Sequence, residues 1–83
     1  MLSIKVLGPG CANCEKVQEI AKRVVATLSI DATVDKITDR AAWQKYGLLS
    51  TPGLVINEKL MCGGRIPSEA EMTTWITNAL AAA

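Results

Sequence analysis

Histidine and phenylalanine are missing from this sequence. The lack of imidazole excludes a Ser-His-Asp triad, a Cys-His pair and any zinc site with a histidine ligand. With two Trp and one Tyr, aromatics come to 4% and leave little surface on which bases could stack. Charge of one sign is not in excess either. Nine Lys plus Arg stand against eight Asp plus Glu, a net charge of +1, which argues against the phosphate-neutralising footprint of a nucleic-acid binder. No apolar run reaches the roughly 18 residues of a membrane helix. At 83 residues the chain has no length for a second folded unit, so residues 1–83 are expected to form one domain. What is present, 49% hydrophobic and 20% charged residues, is the composition of a soluble globular chain with a small core. Whatever chemistry remains must come from three cysteines, the carboxylates and the backbone.

A secretory leader would show basic residues, an apolar stretch and a small-residue cleavage site. The opening Met1-Leu2-Ser3-Ile4-Lys5-Val6-Leu7 instead alternates like a strand. The expectation is a cytoplasmic protein, where thiols are kept reduced. There a CxxC pair points to catalysis or metal binding rather than to a structural staple.

Ser3 to Leu7 reads as a strand stopped by the turn Gly8-Pro9-Gly10. From Cys14 the period changes. Val17, Ile20, Ala21, Val24, Val25 and Leu28 fall at helical spacing, with charged and amide residues on the other face. Glu19 is one turn from Arg23 and can pair with it. Ala32 to Ile37 reads as a second strand, with Thr38 or Asp39 capping a short helix over Arg40 to Tyr46 that Gly47 ends. Ser50-Thr51-Pro52-Gly53 is a turn. The unbroken apolar Leu54-Val55-Ile56 suits a strand covered on both faces. Asn57-Glu58 reverses the chain into Lys59 to Cys62. Asn suits a two-residue hairpin, but Glu is a poor second residue, so a longer loop is an open alternative. After Gly63-Gly64, Ser68 and Glu71 form a capping box, and Met72, Trp75, Ile76, Ala79 and Leu80 form the buried stripe of a last helix. The order βαβαββα implies an α/β three-layer sandwich around a four-stranded mixed sheet. Trp43 and Trp75 read as packing residues, and Arg65 as a solvated residue by default, with positive charge near the site as the alternative.

Cys11-Ala12-Asn13-Cys14 stands where the first strand gives way to the long helix. A sulfur at a helix N-terminus faces unpaired N–H groups and the positive end of the macrodipole, which favour the thiolate. Two intervening residues let the second sulfur close a disulfide on the first. Cys11 is then the attacking nucleophile and Cys14 the resolving thiol. Other readings stand beside this one. Both cysteines can pack as small hydrophobes. A closed zinc site needs four ligands, and this chain offers three sulfurs and no imidazole. A soft-metal or metalloid carrier for Cu(I) or arsenite can use the same sulfurs, and Gly8 to Cys14 superficially resembles the Met-x-Cys-x-x-Cys loop of Cu(I) chaperones. However, Pro9 replaces their Met, and this chain ends in a helix. Cys62, beside Gly63-Gly64, is either a core residue or a third thiol.

With βαβαββα, CxxC at the first helix, Ser50-Thr51-Pro52 before the third strand, and Gly63-Gly64-Arg65-Ile66-Pro67-Ser68 after the hairpin, the whole chain resembles the thioredoxin superfamily. It looks most like the small, glutaredoxin-sized redox-active disulfide proteins of archaea and bacteria. The resemblance implies a thioredoxin-like fold and a cis Thr51–Pro52 bond. It also implies a partner-binding surface of Gly10, Ala12, Asn13, Thr51, Pro52, Gly63 and Gly64, where an extended substrate aligns like an added strand.

There are departures. Gly10 replaces the Trp that thioredoxins carry before the first Cys, and Ala12-Asn13 replaces Gly-Pro. An ungapped alignment puts Lys5 where thioredoxin keeps a buried acid beneath the second Cys. With no general base in view for Cys14, a slow resolving step is expected. Thr-Pro and Gly-Gly suit glutathione, yet no basic residue closely precedes Cys11. The resulting expectation is a monomeric thiol–disulfide oxidoreductase cycling Cys11 and Cys14, with no bound cofactor or metal. Its substrates would be disulfide-containing proteins and its electron donor a reductase or low-molecular-weight thiol. A metal or metalloid carrier and a redox-sensing adaptor are the alternatives.

Overall fold

The computed structural model describes residues 2–10 and 12–82. In chain order they form β1 (Leu2–Leu7), α1 (Ala12–Leu28), β2 (Ala32–Ile37), α2 (Arg40–Lys45), β3 (Gly53–Ile56), β4 (Lys59–Gly63) and α3 (Glu69–Ala82). The strands make one four-stranded sheet in the order β2-β1-β3-β4. β1 pairs parallel to β2 and antiparallel to β3, and β3 pairs antiparallel to β4.

Alternation along the strands sorts residues onto two faces. Leu2, Ile4, Val6, Leu54 and Ile56 point to one face, where they meet Val17, Ala21 and Val24 of α1 and Met72 and Ile76 of α3 in a single cluster. On the opposite face α2 is tied down by polar contacts. Trp43 Nε1 donates to the Ile37 carbonyl at 2.8 Å, and Lys5 Nζ donates to the Tyr46 hydroxyl at 3.1 Å. All four residues of β3 are buried, which is why its sequence is apolar without alternation.

Asp39 caps α2, its side chain accepting from the Ala41 N–H at 3.0 Å. The capping box of α3 also forms. Ser68 Oγ accepts from the Glu71 N–H at 3.1 Å, and Glu71 Oε1 accepts from the Ser68 N–H at 3.2 Å.

Several local expectations are corrected. Leu80 is 40% exposed rather than part of the buried stripe, because the residues of α3 packed on the core end at Ala79. Arg23 reaches Glu69 of α3 at 3.8 Å instead of settling on Glu19. At Asn57-Glu58, by contrast, the two-residue reversal stands and the longer loop does not form, with Ile56 opposite Lys59 and φ of +50° and +68°. Glu58 tolerates this conformation because its carboxylate accepts from both Lys5 and Tyr46, while Asn57 exchanges hydrogen bonds with the Ser3 backbone at 2.8 and 3.0 Å. Long-range contacts outweigh the turn preference there. In β4 the register slips so that Leu54 faces Cys62 and Val55 faces Leu60, leaving Met61 as a bulge that joins Cys62 on the core side.

Topology gathers the functional loops. Ile37, Leu7, Gly53 and Gly63 lie in one row across the sheet, β2 to β4. The chain leaves β1 and β2, enters β3 and leaves β4 at that same edge. The loop carrying CxxC, the start of α2, the Thr51-Pro52 turn and Gly64 therefore all meet there.

Candidate active site

Cys14 is in the first turn of α1 and fully buried, packed in the cluster that Val6 and Val17 share. Its seat is made by an absent side chain. A Cβ built on Gly8 would lie 2.2 Å from Cys14 Sγ and 3.8 Å from Thr51 Cβ, so the sulfur rests directly on the Gly8 backbone with Thr51 alongside. Only glycine permits that approach. The Gly-Pro-Gly motif was legible as a turn, but its role as the floor under the sulfur depends on the fold. Cys11 occupies the chain position before Ala12, the first residue of α1, and lies outside the described residues. Ala12 and Asn13 are exposed on the same turn.

The Thr51–Pro52 peptide bond is cis. Pro52 is buried, and its carbonyl accepts from the Gly64 N–H at 2.9 Å, which couples this turn to the end of β4. Gly63 and Gly64 have an internal reason to be glycine. A Cβ on Gly63 would sit 2.8 Å from a Leu48 methyl, and one on its cross-strand partner Gly53 would sit 2.7 Å from the same methyl. A Cβ on Gly64 would sit 2.4 Å from Ser50 Oγ. Leu48 thus fills the space that two paired glycines leave, and locks the segment before Thr51 onto the sheet.

Lys5 is no replacement for a buried acid. Alternation turns it to the face opposite Ile4 and Val6. Its ammonium bonds Glu58 and Tyr46 there, and those two contacts push it up to about 12. Among the described residues no polar or charged side chain is buried, so no sequestered carboxylate accompanies Cys14.

Sequence proximity also missed a cation. Lys36 of β2 brings its Nζ to 3.8 Å from the point a Gly10 Cβ would occupy, so positive charge reaches the residue before Cys11 from another strand. Arg65, by contrast, is committed elsewhere, its guanidinium forking onto Glu71 at 3.0 and 2.8 Å.

Cys62 is buried on β4, with Leu54 of β3 between it and Val6 of β1. Its Sγ is 3.7 Å from the Arg65 carbonyl, to which it donates. Among the described residues no three Cys, Asp or Glu side chains cluster as a metal site. No helix among them is long and apolar enough to cross a membrane.

The capping cluster yields a pH prediction. Arg65 above all, then the Ser68 backbone N–H, hold the Glu71 carboxyl at about 2 against an ordinary 4.5. The folded form therefore binds this proton less readily than the unfolded chain. The stabilisation is present above about 4.5 and is lost as pH falls towards about 2. Thermal melts followed by circular dichroism should place Glu71→Gln below the parent at pH 7, with the gap closing by pH 2. An equal gap at both pH values would refute the coupling.

Comparison with known proteins agrees with this architecture. Residues 2–77 match the family model described as Thioredoxin domain. Over 72 residues the chain is 36% identical to a thioredoxin of Methanothermobacter thermautotrophicus, covering 87% of this chain and 94% of that one. It is 35% identical, also over 72 residues, to a thioredoxin of Methanocaldococcus jannaschii, covering 87% and 83%. In three dimensions it resembles the germline-specific thioredoxin Deadhead of Drosophila melanogaster. The TM-score is 0.67 at 18% identity, over 93% of this chain and 79% of that one, a likeness of fold. With a sulfur seated at the start of α1 beside a cis proline, and with this match along nearly the whole sequence, the chain belongs to the thioredoxin family of thiol–disulfide oxidoreductases.

Proposed function

We propose that this protein, working as one domain over residues 1–83, reduces disulfides of partner proteins through Cys11 and Cys14. The Cys11 thiolate attacks one sulfur of a partner disulfide. One S–S bond breaks as another forms, and the partner's second sulfur leaves as a thiolate that takes up a proton. The Cys14 thiolate then attacks the Cys11 sulfur and expels the partner's other thiolate. Two electrons have passed to the partner, and Cys11–Cys14 is left as a disulfide. A reductase or a low-molecular-weight thiol restores the dithiol. No bound cofactor or metal enters these steps.

One observation carries this reading. The buried Cys14 sulfur lies against Gly8, whose other near neighbour is Thr51 of the cis-proline turn, so the resolving thiol sits just beneath the loops that carry CxxC and Pro52. That turn's backbone offers an extended partner hydrogen-bonding groups beside the sulfur, with Gly10, Ala12, Asn13, Gly63 and Gly64 along its margin. A slow second step is part of this proposal, and among the described residues no carboxylate is buried. The same chemistry suits the cytoplasm, where partners and donor thiols are kept reduced. Cys62, held in the core under Leu54, takes no part.

Insulin-disulfide reduction, measured with dithiothreitol and with a thioredoxin reductase system, is the test. Rates well above the protein-free background support the proposal. Background rates together with tight, two-sulfur binding of Cu(I) or arsenite would replace it with the carrier reading.

A further inference from the structure

The sheet face opposite α1 and α3 is covered by residues 38–50. Leu7 and Val55 lie on that face fully buried, outside the main core cluster. Yet the cover is slight. α2 has six residues, and none of them is buried. A helix that short does not hold itself together in water. Among the described residues, the backbone N–H groups of Ala42, Trp43, Tyr46, Gly47 and Leu48 all donate to carbonyls inside the same segment. The ties to the sheet are made by side chains. Trp43 reaches the Ile37 carbonyl, Tyr46 bridges Lys5 and Glu58, and a Leu48 methyl fills the gap between Gly53 and Gly63.

These ties span the length of the sheet. Glu58 stands in the hairpin at one end, and Leu48 leads through Ser50 into the Thr51-Pro52 turn at the other. There the Ser50 hydroxyl takes the space that a side chain on Gly64 would need, and the Pro52 carbonyl holds the Gly64 N–H. We propose that residues 38–50 form a strap that opens as one unit at a smaller free-energy cost than global unfolding, with Tyr46, Lys5 and Glu58 as its latch, and that opening releases the Thr51-Pro52 turn from Gly64. A latch at the hairpin end thus governs the turn at the far end. The motion needs no thiol chemistry, so it stands or falls separately from disulfide exchange.

Native-state amide hydrogen exchange, followed by NMR, reads the opening residue by residue. In the parent, the Ala42, Trp43, Gly47 and Leu48 amides should show protection factors about tenfold or more below those of Ala21 and Val24 in α1. Tyr46→Phe removes only the bridging hydroxyl. It should speed exchange of the strap amides, and of Gly64 with them, about fivefold. Leu48→Ala, which empties the gap between the two glycines, should speed the same set. Ile76→Val weakens the core that stays intact in the open form. It should speed the α1 amides about fivefold and leave the strap and Gly64 unchanged. Strap amides that answer Ile76→Val in step with α1 open only with the whole molecule, which would overturn the strap. Strap amides indifferent to Tyr46→Phe would overturn the latch, and a Gly64 amide indifferent to it would overturn the coupling to the turn.

Discussion

Cys11→Ser is expected to bring insulin-disulfide reduction down to the protein-free background, whichever electron donor is supplied. A hydroxyl in this position is a poor nucleophile at neutral pH, and no histidine exists in the chain to activate it. Cys14→Ser should fail differently. Cys11 can still attack, so a mixed disulfide with the partner forms and persists, visible as a covalent adduct on a non-reducing gel. The two variants therefore separate the attacking sulfur from the resolving one. Adducts that accumulate with Cys11→Ser and not with Cys14→Ser would invert the assignment. Retained turnover in both variants would remove the pair from the mechanism. In the parent, rapid-mixing kinetics should show partner release as the slower of the two steps. Release as fast as attack would mean that a base serves Cys14 after all.

The second large effect belongs to a residue with no side chain. Gly8→Ala introduces a Cβ whose ideal position is 2.2 Å from Cys14 Sγ, far inside contact distance. Something must move, and the lightest movable group is the sulfur, which can rotate off its seat. Displacing a reacting atom by about 1 Å can cost about a hundredfold in rate, so resolution of the mixed disulfide should slow by that order. Overpacking should also cost about 1–3 kcal/mol of stability. A cycle with Cys14→Ala distinguishes this cause from a general insult to the loop. Once the sulfur is gone the clash is relieved, so Gly8→Ala should cost much less in that background, as read from urea melts. Equal costs in the two backgrounds would show that the sulfur is not what the new methyl meets.

Legibility in the sequence varied with the range of the interaction. The long helix was legible from Val17, Ala21 and Val24 at helical spacing, and the capping box of α3 from Ser68 and Glu71, because each signal lies within a few residues of its effect. Unbroken Leu54-Val55-Ile56 correctly signalled a strand covered on both faces. Glu58 reads poorly as a hairpin residue because what holds it there is Lys5, on β1, and Tyr46, after α2. Leu80 continues the helical period, yet the residues that pack α3 onto the core end at Ala79. The Met61 bulge has no local mark at all.

The site divides along the same line. Cys11 and Cys14, the turn at Pro52 and the paired glycines were visible as motifs. Gly8 as the floor of the sulfur, and Leu48 as the filler between Gly53 and Gly63, were not. Neither was Lys36, whose amine approaches Gly10 from a strand 26 positions further along the chain.

By itself the sequence determined the order of the elements, the start of α1 at the CxxC motif, and a chemistry without imidazole that is left to cysteines, carboxylates and backbone. Periodicity, caps and residue inventory are properties of neighbours along the chain, and short-range sterics and hydrogen bonds enforce them in any context. Only the tertiary structure decided what surrounds the sulfur: the bare backbone beneath it and the cis-proline turn close by. Those relations come from the row of Ile37, Leu7, Gly53 and Gly63 across four strands, a register set by which faces of the sheet can be buried together.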